Sequence, residues 1–475
     1  MTALLTRARS GSHAVHRRRP DQQGPGQRGT GRRGRLPRPV AFYLLASVIV
    51  SFLAGSSAPT PLYAVYAAKW GFSPITTTVV FGVYALAVLA ALLTVGSLSD
   101  HVGRRPVLLA AIAIQAAVMV VFTTADGVPQ LLIARIIQGL STGAAAGAIG
   151  AGMLDLNKAK GTIANAVAPI TGTASGALGS GLVVQFLPAP THLVFLILLG
   201  VFVLQGIGVA LMPETSTPSP GALASLRPAF AAPAQTRKPL LLAVPALVAV
   251  WALAGLYGAL GPALVRLVSG SGSIVLAGLS LAVLAASGAA AVLVLQKQQA
   301  RTLTLIGGAA LIAGVGLTLL SVTSGSVAGF FVGTAIAGAG FGAGFQGAIR
   351  SVMPLAAPHQ RAGVLSVVYV ISYLALGLPA VIAGFLLVHE GDLLATAVQY
   401  GVAVMALAAL ALGGAVRPAR RPGQASRADQ AAPVARAVWP IGRGDRPGLV
   451  PVPVRRPAAR LLPAERPVPD CPAFR

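Results

Sequence analysis

The sequence predicts an all-α polytopic membrane protein, with twelve transmembrane helices arranged as two six-helix bundles. Three observations predict it. First, 55% of the 475 residues are hydrophobic and only 10% are charged, with a mean hydropathy of +0.77. A soluble domain carries about 25% charged residues, so this chain has too few to cover a water-exposed surface. Second, the apolar residues fall in runs long enough to cross about 30 Å of hydrocarbon. These runs are continuous and do not alternate with polar residues as membrane-barrel strands do; helices satisfy their own backbone hydrogen bonds in lipid. Third, the basic residues between the runs alternate from loop to loop, which fixes an even number of crossings.

Taken in order, the runs are 40–66, 75–97, 106–124, 129–154, 162–186, 191–212, 240–264, 274–296, 302–322, 326–349, 362–388 and 393–416. Pro59 and Pro61 interrupt the first, which predicts a kink near its outer end. The loops after the even-numbered runs carry eleven Lys or Arg, among them Arg104, Arg105, Lys158 and Lys160, whereas the loops after the odd-numbered runs carry only Lys69 and Arg266. The positive-inside rule therefore places the even loops and both termini in the cytoplasm of a plasma (inner) membrane.

The organisation follows. Residues 1–38 and 417–475 are Arg-rich, Pro- and Gly-containing segments that read as disordered cytoplasmic tails. Residues 39–212 form the first bundle and 240–416 the second. The Pro-rich stretch 213–239, with Pro213, Pro218, Pro220, Pro228 and Pro233, is the cytoplasmic linker. Much of the net charge of +25 sits in the two tails, which fits solvated ends on the positive side of a membrane and not a nucleic-acid surface. The one cysteine, Cys471, excludes a disulfide framework or a cysteine metal site within the chain. No nucleophile–base constellation and no phosphate-cradling Gly-rich loop occurs, so enzyme chemistry and ATP-driven transport are not expected. Neither a cofactor nor a metal is implied.

The most informative polar island lies between the second and third runs: Gly96-Ser97-Leu98-Ser99-Asp100-His101-Val102-Gly103-Arg104-Arg105. It resembles the Gly-x-Leu-Ala/Ser-Asp-Arg-x-Gly-Arg-Arg/Lys loop of the major facilitator superfamily, with His101 in place of the usual Arg or Lys. In the fourth run, Leu131-Leu132-Ile133-Ala134-Arg135-Ile136-Ile137-Gln138-Gly139 resembles that family's Leu-x-x-x-Arg-x-x-Gln-Gly motif. Met212-Pro213-Glu214-Thr215 looks like the usual end of its sixth span. The resemblance covers about 40–416. It implies alternating access: a central cavity opens to one side of the membrane at a time. The chain departs from the drug/proton antiporters of the family, because its fifth run has Gly172, Gly176, Gly179 and Gly181 but no Gly-Pro pair. The 8–9 loop, Gln296-Lys297-Gln298-Gln299-Ala300-Arg301, keeps two basic residues and lacks the acid.

For the loop, the resemblance implies a conformational latch of Gly96, Asp100, Gly103, Arg104 and Arg105. Asp100 would accept hydrogen bonds from the N-terminus of the eleventh helix, near Arg361, where the helix dipole is positive. Arg104 would pair with Asp155, and the latch would staple the halves in the outward-open state and release on switching. The competing reading is a cluster of topogenic surface charges.

Arg135 lies about 9 Å inside the fourth run, six residues at about 1.5 Å each beyond Pro129. Either it snorkels to the interface, or it faces the cavity with Gln138 and Gly139 and serves proton coupling or anion binding. The six acids of 39–416 (Asp100, Asp126, Asp155, Glu214, Glu390 and Asp392) all fall at run ends or in loops. No carboxylate proton carrier is therefore visible within a run. Candidate substrate contacts are Tyr63, Gln115, Asn165, Tyr257, Gln346, Tyr369 and Tyr373, with Tyr84 and Gln185 further polar positions. This sparse, mostly uncharged set suits an amphipathic or neutral organic solute.

The expectation is a monomeric secondary transporter whose partners are a small-molecule substrate, possible protons and the lipid bilayer, with no nucleic acid. A proton-linked exporter of amphipathic compounds leads. An uptake permease or facilitator for sugars or metabolites, and a non-transporting receptor or scaffold, are the alternatives.

Overall fold

A computed structural model describes residues 36–416, apart from 229, 231–232 and 358–359. The expectations for the two basic tails lie outside the described residues, except for 36–38. Among the described residues twelve helices are long and apolar enough to span a membrane: α1 (Arg38–Trp70), α2 (Pro74–Thr94), α3 (Arg104–Thr124), α4 (Val128–Leu156), α5 (Lys158–Phe186), α6 (Pro190–Leu211), α7 (Ala234–Ala259), α8 (Ile274–Val294), α9 (Ala300–Ser324), α10 (Val327–Leu355), α11 (Arg361–Glu390) and α12 (Leu393–Val416).

The breaks in these helices follow from proline. α1 consists of two pieces, Arg38–Ser57 and Pro59–Trp70, joined at Ala58. Pro59 supplies no N–H, so the Gly55 carbonyl one turn earlier loses its intrahelical partner. α7 repeats the device: it ends at Ala259, and a short helix, Gly261–Ser269, continues with Pro262 in its first turn. The first span of each half is thus broken toward the same end. α7 also begins at Ala234, earlier than the apolar run suggests, because Pro239 is accommodated inside the helix.

The two largest sets of buried side chains lie mainly one in each half. One joins the first six spans, with Leu45, Phe52, Leu108, Phe122, Phe195 and Phe202. Phe122 stacks on Phe195 at 4.8 Å between ring centres, and Phe52 meets Phe202 edge-on at 5.4 Å. The other joins α7 to α10 and α12, with Leu253, Tyr257, Leu311 and Phe330. In lipid the apolar effect does not drive helices together, so close backbone approach through small residues matters more. On α4, Gly139, Gly143 and Gly147 recur every four residues and face α2. A Cβ on Gly139 would lie 2.7 Å from the Tyr84 carbonyl oxygen, one on Gly143 2.6 Å from that of Val88, and one on Gly147 2.5 Å from that of Gly96. Gly172 and Gly176 press α5 onto α1 in the same way.

The halves meet at one end. α2 packs on α11, and α5 on α8. The tight contacts lie at the end opposite the 2–3 loop: Gly384 against Thr78, Gly278 against Ala177 and Gly258 against Phe81. Gln185 Oε1 accepts hydrogen bonds from Ser273 Oγ (2.8 Å) and Val275 N (3.0 Å) there. Toward the 2–3 loop the same helix pair is parted by a cavity of about 270 Å³, lined by Thr162 and Ile163 on one side and by Val292, Leu293 and Arg350 on the other.

Candidate functional site

At the parted end, the 2–3 loop forms a short helix, Leu98–Val102, ending at Gly103 with φ +109°. Only glycine adopts this conformation readily, and a Cβ here would lie 2.8 Å from Glu214 Oε2. The chain then turns into α3, whose first N–H groups point at Glu214: Arg104 N donates to Oε1 at 2.8 Å and Arg105 N to Oε2 at 3.0 Å. A carboxylate at a helix N-terminus satisfies orphan donors and the positive end of the dipole together.

Arg104 is buried. Its Nη1 donates to Ser99 Oγ at 2.7 Å and to Asp100 Oδ1, and its Nε lies 3.4 Å from Asp155 Oδ2. Arg105 reaches the Ala210 carbonyl at the end of α6. Gly96 contributes backbone, as the surface on which Gly147 rests. The loop also holds the linker, since the His101 carbonyl accepts from Ser219 N at 3.0 Å and His101 Nδ1 lies 3.1 Å from the Pro220 carbonyl oxygen.

The latch residues are placed only in part at this end. The Asp100 carboxylate bonds Arg104 and makes no bond to α11 among the described residues; it is 55% exposed. The carboxylate at a helix N-terminus is Glu214, on α3. Its sequence, Met212-Pro213-Glu214-Thr215, is visible, but its partner on the 2–3 loop is more than a hundred residues away. In the second half Arg350, from α10, donates to the Gln298 carbonyl at 2.8 Å and the Gln296 carbonyl at 2.7 Å. A cation on loop carbonyls there stands where the first half uses Arg104 and Asp155.

Mid-molecule, Arg135 is fully buried and does not snorkel. Its Nε donates to Tyr63 OH at 3.0 Å, Nη2 donates to the same oxygen, and Nη1 donates to Gln138 Oε1 at 2.7 Å and the Ser56 carbonyl at 2.8 Å. The Tyr84 and Tyr63 rings flank the guanidinium at 5.1 and 5.7 Å. Gln138 Nε2 donates to the Gly55 carbonyl at 3.0 Å, the acceptor that Pro59 leaves without a partner. The Arg-x-x-Gln spacing on α4 thus reads the broken turn of α1. Hydrogen bonds to a charged group contribute about 1.5–3 kcal/mol each, and a desolvated cation–π contact about 2 kcal/mol. They offset a desolvation penalty of several kcal/mol for a buried ion, while leaving its net charge in place.

Across from this cluster stands an aromatic group of the second half. Trp251 of α7 meets Phe345 and Phe341 of α10 at 5.5 and 6.1 Å, and Tyr373 of α11 at 5.4 Å. Tyr369 meets Tyr373 at 6.5 Å, and Tyr373 is close enough to Tyr84 to interact electrostatically across the halves. Among the described residues Trp251 Nε1, Gln346 Oε1 and Ser372 Oγ are buried without a hydrogen-bond partner.

The remaining candidates separate. Tyr257 is a core residue, its hydroxyl 2.8 Å from Thr334 Oγ1 and 3.3 Å from Thr318 Oγ1. Asn165 ties α5 to the Gly150 carbonyl of α4 at 3.0 Å. Gly139 packs α4 on α2, and Gln185 seals the far end. Gln115 is fully buried within the first half beside Gly55, with both amide atoms unpartnered. Sequence reasoning missed Trp251, Phe341 and Phe345. Each sits in an apolar run, where an aromatic residue reads as core, and the unpartnered indole nitrogen becomes visible only in three dimensions.

Comparisons agree with this architecture. Among curated proteins, none matches the chain by sequence. A crystal structure of a point mutant of the nucleoside transporter NupG superposes with a TM-score of 0.62 at 12% identity, covering 80% of this chain and 100% of its own. A bacterial homologue of the human lysosomal transporter Spinster, in an inward-facing and unoccupied conformation, superposes with a TM-score of 0.62 at 14% identity, covering 80% of this chain and 97% of its own. These likenesses concern the fold. The model of the Major Facilitator Superfamily matches residues 44–378; with twelve spans, a loop of matching residues and the Arg135–Gln138 pair on a broken first helix, the chain belongs to that superfamily.

Proposed function

We propose that this secondary transporter exports a small amphipathic organic solute by alternating access, from a plasma membrane in which the 2–3 loop faces the cytoplasm. The observation that carries the reading is a pair of clusters, which in this reading line a transport chamber: one buried cation with tyrosines on the first half, and an aromatic wall on the second. Such a pairing suits a ligand with one polar head and a flat apolar body. The loop charges support the orientation. With the halves sealed at Gln185–Ser273 and parted at the 2–3 loop, the conformation is the one that loads from the cytoplasm.

In the same reading Asp100 is half of a latch. It exchanges Arg104 for the N-terminus of α11 when the cytoplasmic end closes, while Arg104 stays on Asp155. Proteoliposome transport of a panel of amphipathic compounds tests the chamber. Trp251→Ala and Tyr373→Ala, at normal membrane abundance, are expected to lower transport at least about 10-fold, the scale of a lost stacking anchor. Unchanged transport in both sinks the proposed chamber. Asp100→Asn tests the latch separately, and unimpaired transport removes it.

A further inference from the structure

We infer that the transported solute is an aromatic or amphipathic monoanion, a carboxylate or sulfonate, whose charge neutralises Arg135, and that the membrane potential drives its export. This rests on the chamber reading above and names the solute's charge.

Among the described residues Arg135 has no counter-ion. Its hydrogen-bond partners are all neutral: the Tyr63 hydroxyl, the Gln138 amide oxygen and the Ser56 carbonyl. Among the described residues the acids are Asp100, Asp126, Asp155, Glu214, Glu390 and Asp392, at span ends or in loops. Hydrogen bonds satisfy donors but leave the site at +1. A buried charge of this kind is held stably when an opposite charge comes to it.

Two donors remain for that anion. The guanidinium has five N–H groups; four are used in the bonds above, which leaves one on Nη2. The Tyr63 oxygen accepts two of those bonds, so its own hydrogen is free to donate. A guanidinium N–H beside a phenol O–H suits two oxygens of one carboxylate or sulfonate. Every other Lys or Arg among the described residues lies near a span end or in a loop, so a dianion would leave the site at −1. Trp251, Tyr373 and Phe345 receive the flat apolar part.

The electrical consequence follows from the same count. The loaded site crosses neutral and the empty site returns at +1. On a membrane negative at the cytoplasmic face, that potential draws the empty site back toward the cytoplasm. Each cycle then moves one negative charge out, and 100 mV sustains about a 50-fold outward gradient. No protonatable side chain within the spans is needed.

Three probes share one ring: 2-naphthalenesulfonate, the neutral 2-naphthalenesulfonamide and the cationic 2-naphthylmethylammonium. With the full chain in nanodiscs, the sulfonate alone is expected to raise Tm. Arg135→Gln is expected to weaken its binding at least about 10-fold, the scale of a lost charged hydrogen bond. Arg135→Lys, which keeps the charge, is expected to retain part of it. Tyr63→Phe keeps the ring and the cation, guards against a folding artefact, and is expected to give an intermediate loss. In proteoliposomes, sulfonate efflux is expected to rise with a potassium–valinomycin potential negative inside and to be indifferent to a proton gradient. Equal binding of the amide or the amine, binding of none of the three, sulfonate binding retained in Arg135→Gln, or efflux that ignores the potential overturns the inference. Transport of the amine or amide that survives Arg135→Gln overturns it while leaving a transporter; sulfonate binding without transport of any probe sinks the transporter reading instead.

Discussion

Gly103 and Glu214 depend on each other. The +109° φ of Gly103 brings the chain into α3 at the angle that presents two N–H groups to the Glu214 carboxylate. Gly103→Ala adds a Cβ both in a disfavoured backbone region and 2.8 Å from that carboxylate. The conformational term alone is about 1–2 kcal/mol, so a lower Tm in detergent is expected, with the 2–3 loop more open to protease. Glu214→Gln keeps the shape but removes the charge at the helix start, at about 1 kcal/mol. If Tm is unmoved in both, the loop is not held as described. Gln138→Leu is a different case, since it strips the Gly55 carbonyl of its donor and Arg135 of one acceptor. A buried polar group without a partner costs about 1–3 kcal/mol, so destabilisation greater than that of Glu214→Gln is expected.

At the scale of helices, the break in α1 is the feature that sequence and structure share most fully. Pro59 and Pro61 announce it, and the Arg-x-x-Gln spacing announces a partner for it on α4. The link between them, an orphaned carbonyl met by an amide, is a long-range fact that no local pattern contains. The same division holds elsewhere. Twelve spans and their alternation were legible because lipid demands long apolar helices and loop charge records orientation. The glycine stripe on α4 was legible as small-residue packing, but whether Gly139 lined a cavity or a helix was not, because periodicity gives a face without naming what it meets. Tyr257 and Trp251 show the limit from both sides: each is an aromatic residue in an apolar run, and only in three dimensions does the Tyr257 hydroxyl meet Thr334 and Thr318 in the core while the Trp251 indole nitrogen is left without a partner among the described residues. Pro59→Ala tests the broken turn directly. It returns an N–H to the Gly55 carbonyl and frees the Gln138 amide, so a protein of equal or higher Tm with slower transport is expected. Unchanged transport would mean that the break is not part of the moving machinery.

For the molecule as a whole, the two ends should move in opposition. Contact at Gln185–Ser273 and Thr78–Gly384 closes one end, while the cavity beside Arg350 parts the other. If the bundles rock about the chamber, closing the second end requires opening the first, because close-packed helices shift between discrete arrangements and do not stretch. Cysteine pairs read this directly in a background with Cys471 replaced. A bis-maleimide across Gln185→Cys and Ser273→Cys is expected to link the resting protein rapidly and stop transport. A link across Val102→Cys and Arg361→Cys is expected to form slowly at rest and at least several-fold faster during turnover, because it reports the state in which the 2–3 loop has closed on α11. If both pairs link equally fast at rest, the ends are not coupled, and the chamber between them would have to be reached by a local gate in one bundle.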